Sequence, residues 1–301
     1  MAKAAEIDFP DVSAPANLDV AWIHGSPAAK YNTDPDIQVH AYNEHTYILR
    51  QNMAVHYEAP FMFLLLGRSA ALLLDTGATA DPRFFPLRRT IDGIIDGWLA
   101  RHLRPEGYGL LVVHTHSHAD HTAADGQFAD RPNTAIVGAG RDAAWPYLGF
   151  TDEPDRVAQV DLGGRVLDCL ATPGHHEAAV TYYDRYSGIL LTGDTIYPGR
   201  LYVADWPAFV RSIGRLAAWC AQRPVTHVLG CHIEMTTKPG VDYPAGWSYQ
   251  PDEPPLELTT DHLGQIQQSW SAGCVPLGWR AICWGGGLRS TASRLAMTCF
   301  V

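Results

Sequence analysis

The stretch VVHTHSHADHTAADG, residues 112–126, places four histidines and one aspartate within the eight positions 114–121. The apolar run of residues 110–113 precedes it, so the histidines stand where a buried strand runs out into a loop, and such ends are where a rigid scaffold presents ligands. Imidazole and carboxylate donors together suit zinc, or a neighbouring first-row metal such as iron or manganese. A lone histidine is most often a satisfied core or surface residue. Four donor residues in six positions (His116, His118, Asp120, His121) outweigh that reading once other strand ends join them.

Three do. ATPGHHE carries His175, LLTGDTIYPG carries Asp194 and VLGCHIE carries His232, each just after an apolar run and a glycine. One site assembled from several strand ends is the economical reading, and it makes the opening stretch the first half of a metal site.

The rest of the chain supports a large α/β core. Eight short apolar runs read as strands: APFMFLLLG, AALLLDTG, GLLVVHTH, TAIVGA, RVLDCLATPG, AAVTYYD, GILLTGD and THVLGCH. Two amphipathic helices lie between them. Over 87–99, Leu87, Ile91, Ile94, Ile95, Trp98 and Leu99 share a face; over 206–221, Trp206, Phe209, Val210, Ile213, Leu216 and Cys220 do, with Pro207 suited to a first turn. Residues 233–260 hold five prolines and are expected to be irregular and functional. The spacing divides the chain into a domain at 1–260 and, at 261–301, a C-terminal helix with an irregular tail. That tail reads either as a small extra element or, the favoured reading, as the product of a frameshift or junction.

Composition narrows the partners. With 301 residues the chain can bury a sizeable core. Twenty-two Lys and Arg against 32 Asp and Glu leave a net charge of −10, which argues against a nucleic-acid backbone as main partner. The start MAKAAEIDFPDV lacks the apolar core of a signal peptide, and no apolar run is long enough to span a bilayer. A cytoplasmic protein acting on a small molecule, with no membrane partner, is expected, and a homodimer stays open. The six cysteines form no C-x-x-C pair and read as buried thiols.

With those residues in view, the sequence resembles the metallo-β-lactamase-fold hydrolases. LLLDTGA (Asp75), THSHADH, TPGHH, LTGDT and GCH occur in that superfamily's order across about residues 40–235. The resemblance implies a four-layer αββα sandwich with the site on one edge between two sheets. It further implies that His116, His118 and His175 bind one divalent ion and that Asp120, His121 and His232 bind a second. Asp194 would bridge them, and Asp75 would support a ligand without being one. Two such ions lower the pKa of bound water to about 7, so the set predicts a hydroxide nucleophile, with Asp120 placed to orient it and shuttle its proton.

Other residues invite a role. His114 and His176 lie outside the implied ligand set, and His114 is expected to pack or support; Cys231 is expected to be an inert buried thiol. Seven histidines without a motif around them read as structural. Tyr197, three residues after Asp194, matches a tyrosine that polarises the substrate carbonyl in the lactonase branch, and packing is the equal alternative; Tyr202 is a weaker candidate for the same role.

The metal motif leaves the substrate open. A small ester or lactone is the favoured reading. A glyoxalase-II-like thioesterase fits THSHADH, yet after His232 only Lys238 could meet a glutathione carboxylate. A phosphodiesterase and a single-iron persulfide dioxygenase also stay open. Asp194 as bridge argues against a true β-lactamase, His118 against a flavodiiron protein, and the complete donor set against a dead binding module.

Overall fold

The computed structural model describes residues 7–12, 17–102, 106–150, 155–238, 241–271 and 281–283. Two six-stranded sheets form its centre. The first consists of β1 (Ile37–Asn43), β2 (Thr46–Gln51), β3 (Phe61–Leu66), β4 (Ala70–Leu74), β5 (Gly109–Val113) and β6 (Thr134–Ile136), in that spatial order. Its pairs are antiparallel up to β4 and parallel from β4 through β5 to β6. The second contains β7 (Val157–Asp161), β8 (Val166–Ala171), β9 (Val180–Asp184) and β10 (Ile189–Gly193). After β11 (Leu201–Val203), which leaves the sheet, β12 (His227–Gly230) and β13 (Glu257–Leu258) complete it in the order β13-β12-β10-β9-β8-β7.

Alternation along each strand explains the unbroken apolar runs. In β3, Phe61, Phe63 and Leu65 enter the cluster between the sheets, while Met62, Leu64 and Leu66 enter the cluster on the outer face. A strand covered on both sides must be apolar at every position. Full burial of each such side chain stabilises by about 1.5–3 kcal/mol.

Helices supply the two outer layers. Of α1 (Leu87–Leu99), the short α2 (Ala119–Thr122), α3 (Arg141–Leu148), α4 (Trp206–Cys220) and α5 (Thr260–Ser271), α1 covers the first sheet through Leu87, Ile91, Ile95 and Trp98. Phe209, Ile213 and Leu216 of α4 cover the second, together with Leu263 and Ile266 of α5. Asp205 starts α4 by accepting the Ala208 N–H at 2.9 Å, with Pro207 in the first turn. The architecture is the expected αββα sandwich.

Differences from the expected elements are local. Val210 is exposed at 37 %, off the apolar face assigned to it. Strands β1, β2, β7, β11 and β13 and helix α3 were not expected, and the two residues of β13 interrupt the irregular 233–260 segment. The expected boundary at 260 falls where α5 begins, and α5 buries residues in the same cluster as α4. Residues 281–283 (β14) pair in parallel with β11; the rest of the tail, and so its expected origin, lies outside the described residues. Among the described residues no helix is long and apolar enough to cross a membrane.

Candidate metal centre

Five chain turns converge at one edge of the sandwich. Beyond β5, His114 is buried, its Nε2 2.9 Å from Asp125 Oδ1 and its Nδ1 3.2 Å from the Val137 carbonyl, so it braces the loop. His118 stands at the N-cap of α2, whose single turn presents Asp120 and His121. Beyond β4, Asp75 adopts φ 64°, a left-handed conformation that aspartate tolerates better than most residues. Two glycines let donor-bearing turns approach packed neighbours. A Cβ on Gly174 would sit 2.4 Å from Phe209 Cα, and one on Gly193 (φ 53°) would sit 2.5 Å from Thr115 Cβ. His175 and Asp194 follow them directly.

The donors form two groups, His116 with His118 and His175, and Asp120 with His121, Asp194 and His232. In the first, His116 Nε2 lies 2.9 Å from His118 Nδ1, and His175 Nε2 lies 3.2 Å and 3.1 Å from those two atoms. No placement of protons makes three mutual contacts into hydrogen bonds, because at least one pair must be donor with donor or acceptor with acceptor. A cation at their centre satisfies all three. Zinc–nitrogen bonds of about 2.0–2.1 Å would hold tetrahedral donors about 3.3 Å apart, close to these spacings. In the second group, Asp120 Oδ2 lies 3.1 Å from His121 Nε2 and 3.2 Å from His232 Nε2. His121 Nε2 and Asp194 Oδ1 are buried without a well-formed hydrogen bond, as expected of atoms aimed at an ion.

Asp194 faces both groups. Its Oδ1 lies 3.5 Å from His121 Nε2 and 3.4 Å from His232 Nε2; its Oδ2 lies 3.6 Å from His175 Nε2 and 4.0 Å from His116 Nε2. That disposition suits a carboxylate bridge.

Behind the donors, acceptors hold the far ring nitrogens. His175 Nδ1 donates to the Tyr202 carbonyl at 2.7 Å, His232 Nδ1 to the Glu58 carbonyl at 3.1 Å and His121 Nδ1 to Asp75 Oδ2 at 2.9 Å. Thr115 Oγ1 donates to the same Asp75 oxygen at 2.8 Å and accepts from His116 Nδ1 at 3.1 Å. One carboxylate thereby orients a ligand in each group, fixing tautomers as metal-site supports do. Cys231 is wholly buried with Sγ 3.4 Å from Asp75 Oδ2, and burial, followed by the Asp75 charge, pushes its thiol well above its ordinary pKa.

Electrostatics separates the groups. Burial pulls His116 well below its ordinary value, and burial, against the Asp194 charge, brings His175 down to about 4. These rings are neutral and ready to bind. Burial would lower His232 too, but Asp194 and Asp120 outweigh it and raise it to about 9. At His121, Asp75, Asp194 and Asp120 likewise outweigh burial and raise the pKa well above 6.5. Burial would raise Asp120 and Asp194, yet the facing histidines hold both well below the usual carboxylate range. An ion entering the second group displaces protons.

Above the donors lies a cavity of about 370 Å³ lined by His118, Asp120, His175, Asp194 and His232, with Glu58, Tyr197, Tyr202, Ala204 and Glu234. Tyr197 is 1 % exposed; its hydroxyl donates to the Arg200 carbonyl and lies 3.2 Å from Glu234 Oε2. That hydroxyl is therefore engaged with its own loop. His176 Nε2 lies 3.1 Å from Ser117 Oγ, and its Nδ1 accepts from the Ala178 N–H at 3.0 Å. Sequence reasoning missed Glu58, Glu234 and Arg200. Glu234 had a signal, since it stands two residues after His232 and so on the same side of an extended segment; Arg200 had none.

Several known proteins are similar to this chain. A family model described as the metallo-beta-lactamase superfamily matches residues 58–269. Hydroxyacylglutathione hydrolase of Chelativorans sp. is 29 % identical over 129 residues, 42 % of this chain and 49 % of that protein. The enzyme of the same name from Mesorhizobium japonicum is 30 % identical over 129 residues, with the same coverage. The chain spans about half the length of these curated relatives. A metallo-beta-lactamase from Pontibacter korlensis superposes with a TM-score of 0.48 at 17 % identity, covering 65 % of this chain and 91 % of that one. Because the family match takes in every donor of both groups and most of both sheets, the chain belongs to the metallo-beta-lactamase superfamily.

Proposed function

We propose that the protein is a hydrolase that holds two divalent ions, zinc foremost, and cleaves a small ester or lactone. The observation that carries the reading is Asp194, whose two oxygens face two separate donor groups. When bound, such ions polarise the scissile carbonyl and supply a nucleophilic water at neutral pH. The remaining work belongs to side chains. Asp120 lines the cavity with Oδ2 3.1 Å from His121 Nε2 and 3.2 Å from His232 Nε2, so it is placed to orient the attacking water and to shuttle its proton toward the leaving group. His175 and His232 cannot swing, because backbone carbonyls hold their far nitrogens.

The cavity lining favours an uncharged substrate. Among the described residues it includes Glu58 and Glu234 and no lysine or arginine. The neighbouring Arg200 is committed to Glu234 and Asp242. A glutathione thioester carries carboxylates that this lining does not welcome, although the names of the curated relatives favour that second reading.

Elemental analysis of untagged protein, combined with initial rates on an acyl-homoserine lactone, a glutathione thioester and bis(p-nitrophenyl) phosphate, tests the proposal. About two zinc-like ions per chain with the lactone ahead is the expected result. A leading thioester rate would transfer the reading to the second alternative, and one iron with no hydrolysis would remove the hydrolase.

A further inference from the structure

Three residues lining the cavity are neither placed to hold a metal nor charged: Tyr197, Tyr202 and Ala204. Two of them bring a hydroxyl, and their hydrogen bonds differ in direction. The Tyr197 proton goes to the Arg200 carbonyl, with the Glu234 carboxylate as a further acceptor. At Tyr202 the partner is Arg200 Nε, at 3.1 Å. A guanidinium only donates, so the Tyr202 oxygen accepts there and its own proton is left over. Among the described residues, none accepts it.

We infer that Tyr202, rather than Tyr197, is the hydroxyl that donates a hydrogen bond to the substrate's carbonyl oxygen. The acceptor's identity rests on the ester or lactone reading above. Leu201 and Val203 are each 1 % exposed within the cluster under α4, so alternation along β11 turns Tyr202 to the opposite side, where it lines the cavity. Its own carbonyl holds His175 Nδ1 at 2.7 Å, which ties its backbone to the metal centre. Arg200 is clamped in turn, with Nη1 2.9 Å from Asp242 Oδ2 and 2.6 Å from the Tyr243 carbonyl. A hydroxyl that accepts from a cation is polarised into a stronger donor, and a fixed donor at a developing oxyanion is among the larger contributions to acyl transfer.

The test compares Tyr202→Phe and Tyr197→Phe in the zinc-loaded protein. It reads kcat and KM on the lactone and, independently of turnover, calorimetric binding of butyrate, a carboxylate that resembles an ester's product. Melting temperature and zinc content serve as controls. Tyr202→Phe is expected to lower kcat about tenfold or more with KM little changed, and to weaken butyrate at least about fivefold, at wild-type melting temperature and zinc content. Tyr197→Phe is expected to leave kcat within about threefold and butyrate unaffected. Wild-type butyrate affinity and kcat in Tyr202→Phe overturn the assignment and leave the hydrolase reading standing. Butyrate binding that depends on Tyr202, in a protein that cleaves no ester, thioester or phosphodiester, removes the hydrolase reading and keeps Tyr202 only as the hydroxyl that donates to a bound ligand's oxygen.

Discussion

At Asp75 a single carboxylate reaches both donor groups at once, through His121 directly and through Thr115 to His116. Asp75→Asn keeps the shape but can turn an amide N–H toward the His121 Nδ1–H. The variant is expected to lose about tenfold to a hundredfold in metal affinity, as other supports of metal ligands do, measured by chelator competition; wild-type affinity would reduce Asp75 to packing. Asp120 is the complementary case, exposed to the cavity and ionised. Asp120→Ala should lower turnover at least about a thousandfold while the melting temperature stays within a few degrees, and an active variant would sink the mechanism. The donors were legible because His-x-His-x-Asp-His packs ligand chemistry into one loop. Glu58 and Arg200 were not, because a charged residue outside a motif is indistinguishable in sequence from a solvated surface charge.

Elements read well where their burial was uniform and poorly where it was mixed. The runs of β3, β4 and β5 are apolar throughout, β10 departs from that only at the buried Thr192, and α1 appears over the expected 87–99. Strand β1 exposes Val39 at 41 %, and β2 buries Arg50 and Gln51, so both patterns mislead. Arg50 is matched by Glu253, 203 residues away, through two bonds of 2.6 Å, which no local reading could supply. Removing one partner strands a buried charge: Glu253→Ala should destabilise by about 3–5 kcal/mol in urea unfolding, and pairing it with Arg50→Met should recover most of that loss. The turn between β1 and β2 carries a pH dependence. His45 Nδ1 accepts the Trp98 N–H at 3.0 Å, and burial, partly offset by Glu44, lowers its pKa to about 4. In the unfolded chain the ring takes its proton near 6.5. Its contribution is therefore complete above that pH and is lost as pH falls toward 4. His45→Gln should remove that part of the acid limb; parallel stability curves for the two proteins from pH 7 to 4 would contradict it.

For the whole molecule, the sandwich and its edge site were readable because strand ends and donors coincide, whereas the cover of the second sheet by α5 depends on packing that few apolar residues announce. Bringing the three imidazole nitrogens of the first group within 3.2 Å of one another without an ion is unfavourable, so chelation should lower the melting temperature by about 5 °C or more and added zinc should restore it; an unchanged melting curve would mean the donors are content without metal. Each donor group also draws on both sheets: His116, His118, Asp120 and His121 follow β5, whereas His175, Asp194 and His232 follow strands of the second sheet. Ions held there would act as cross-links between distant parts of the chain, and closing such loops restrains the unfolded ensemble. If the two groups hold ions, the first set of ligands is complete during synthesis only once His175 has been made and the second only once His232 has, so the turn after β5 cannot capture either ion before strands of the second sheet exist.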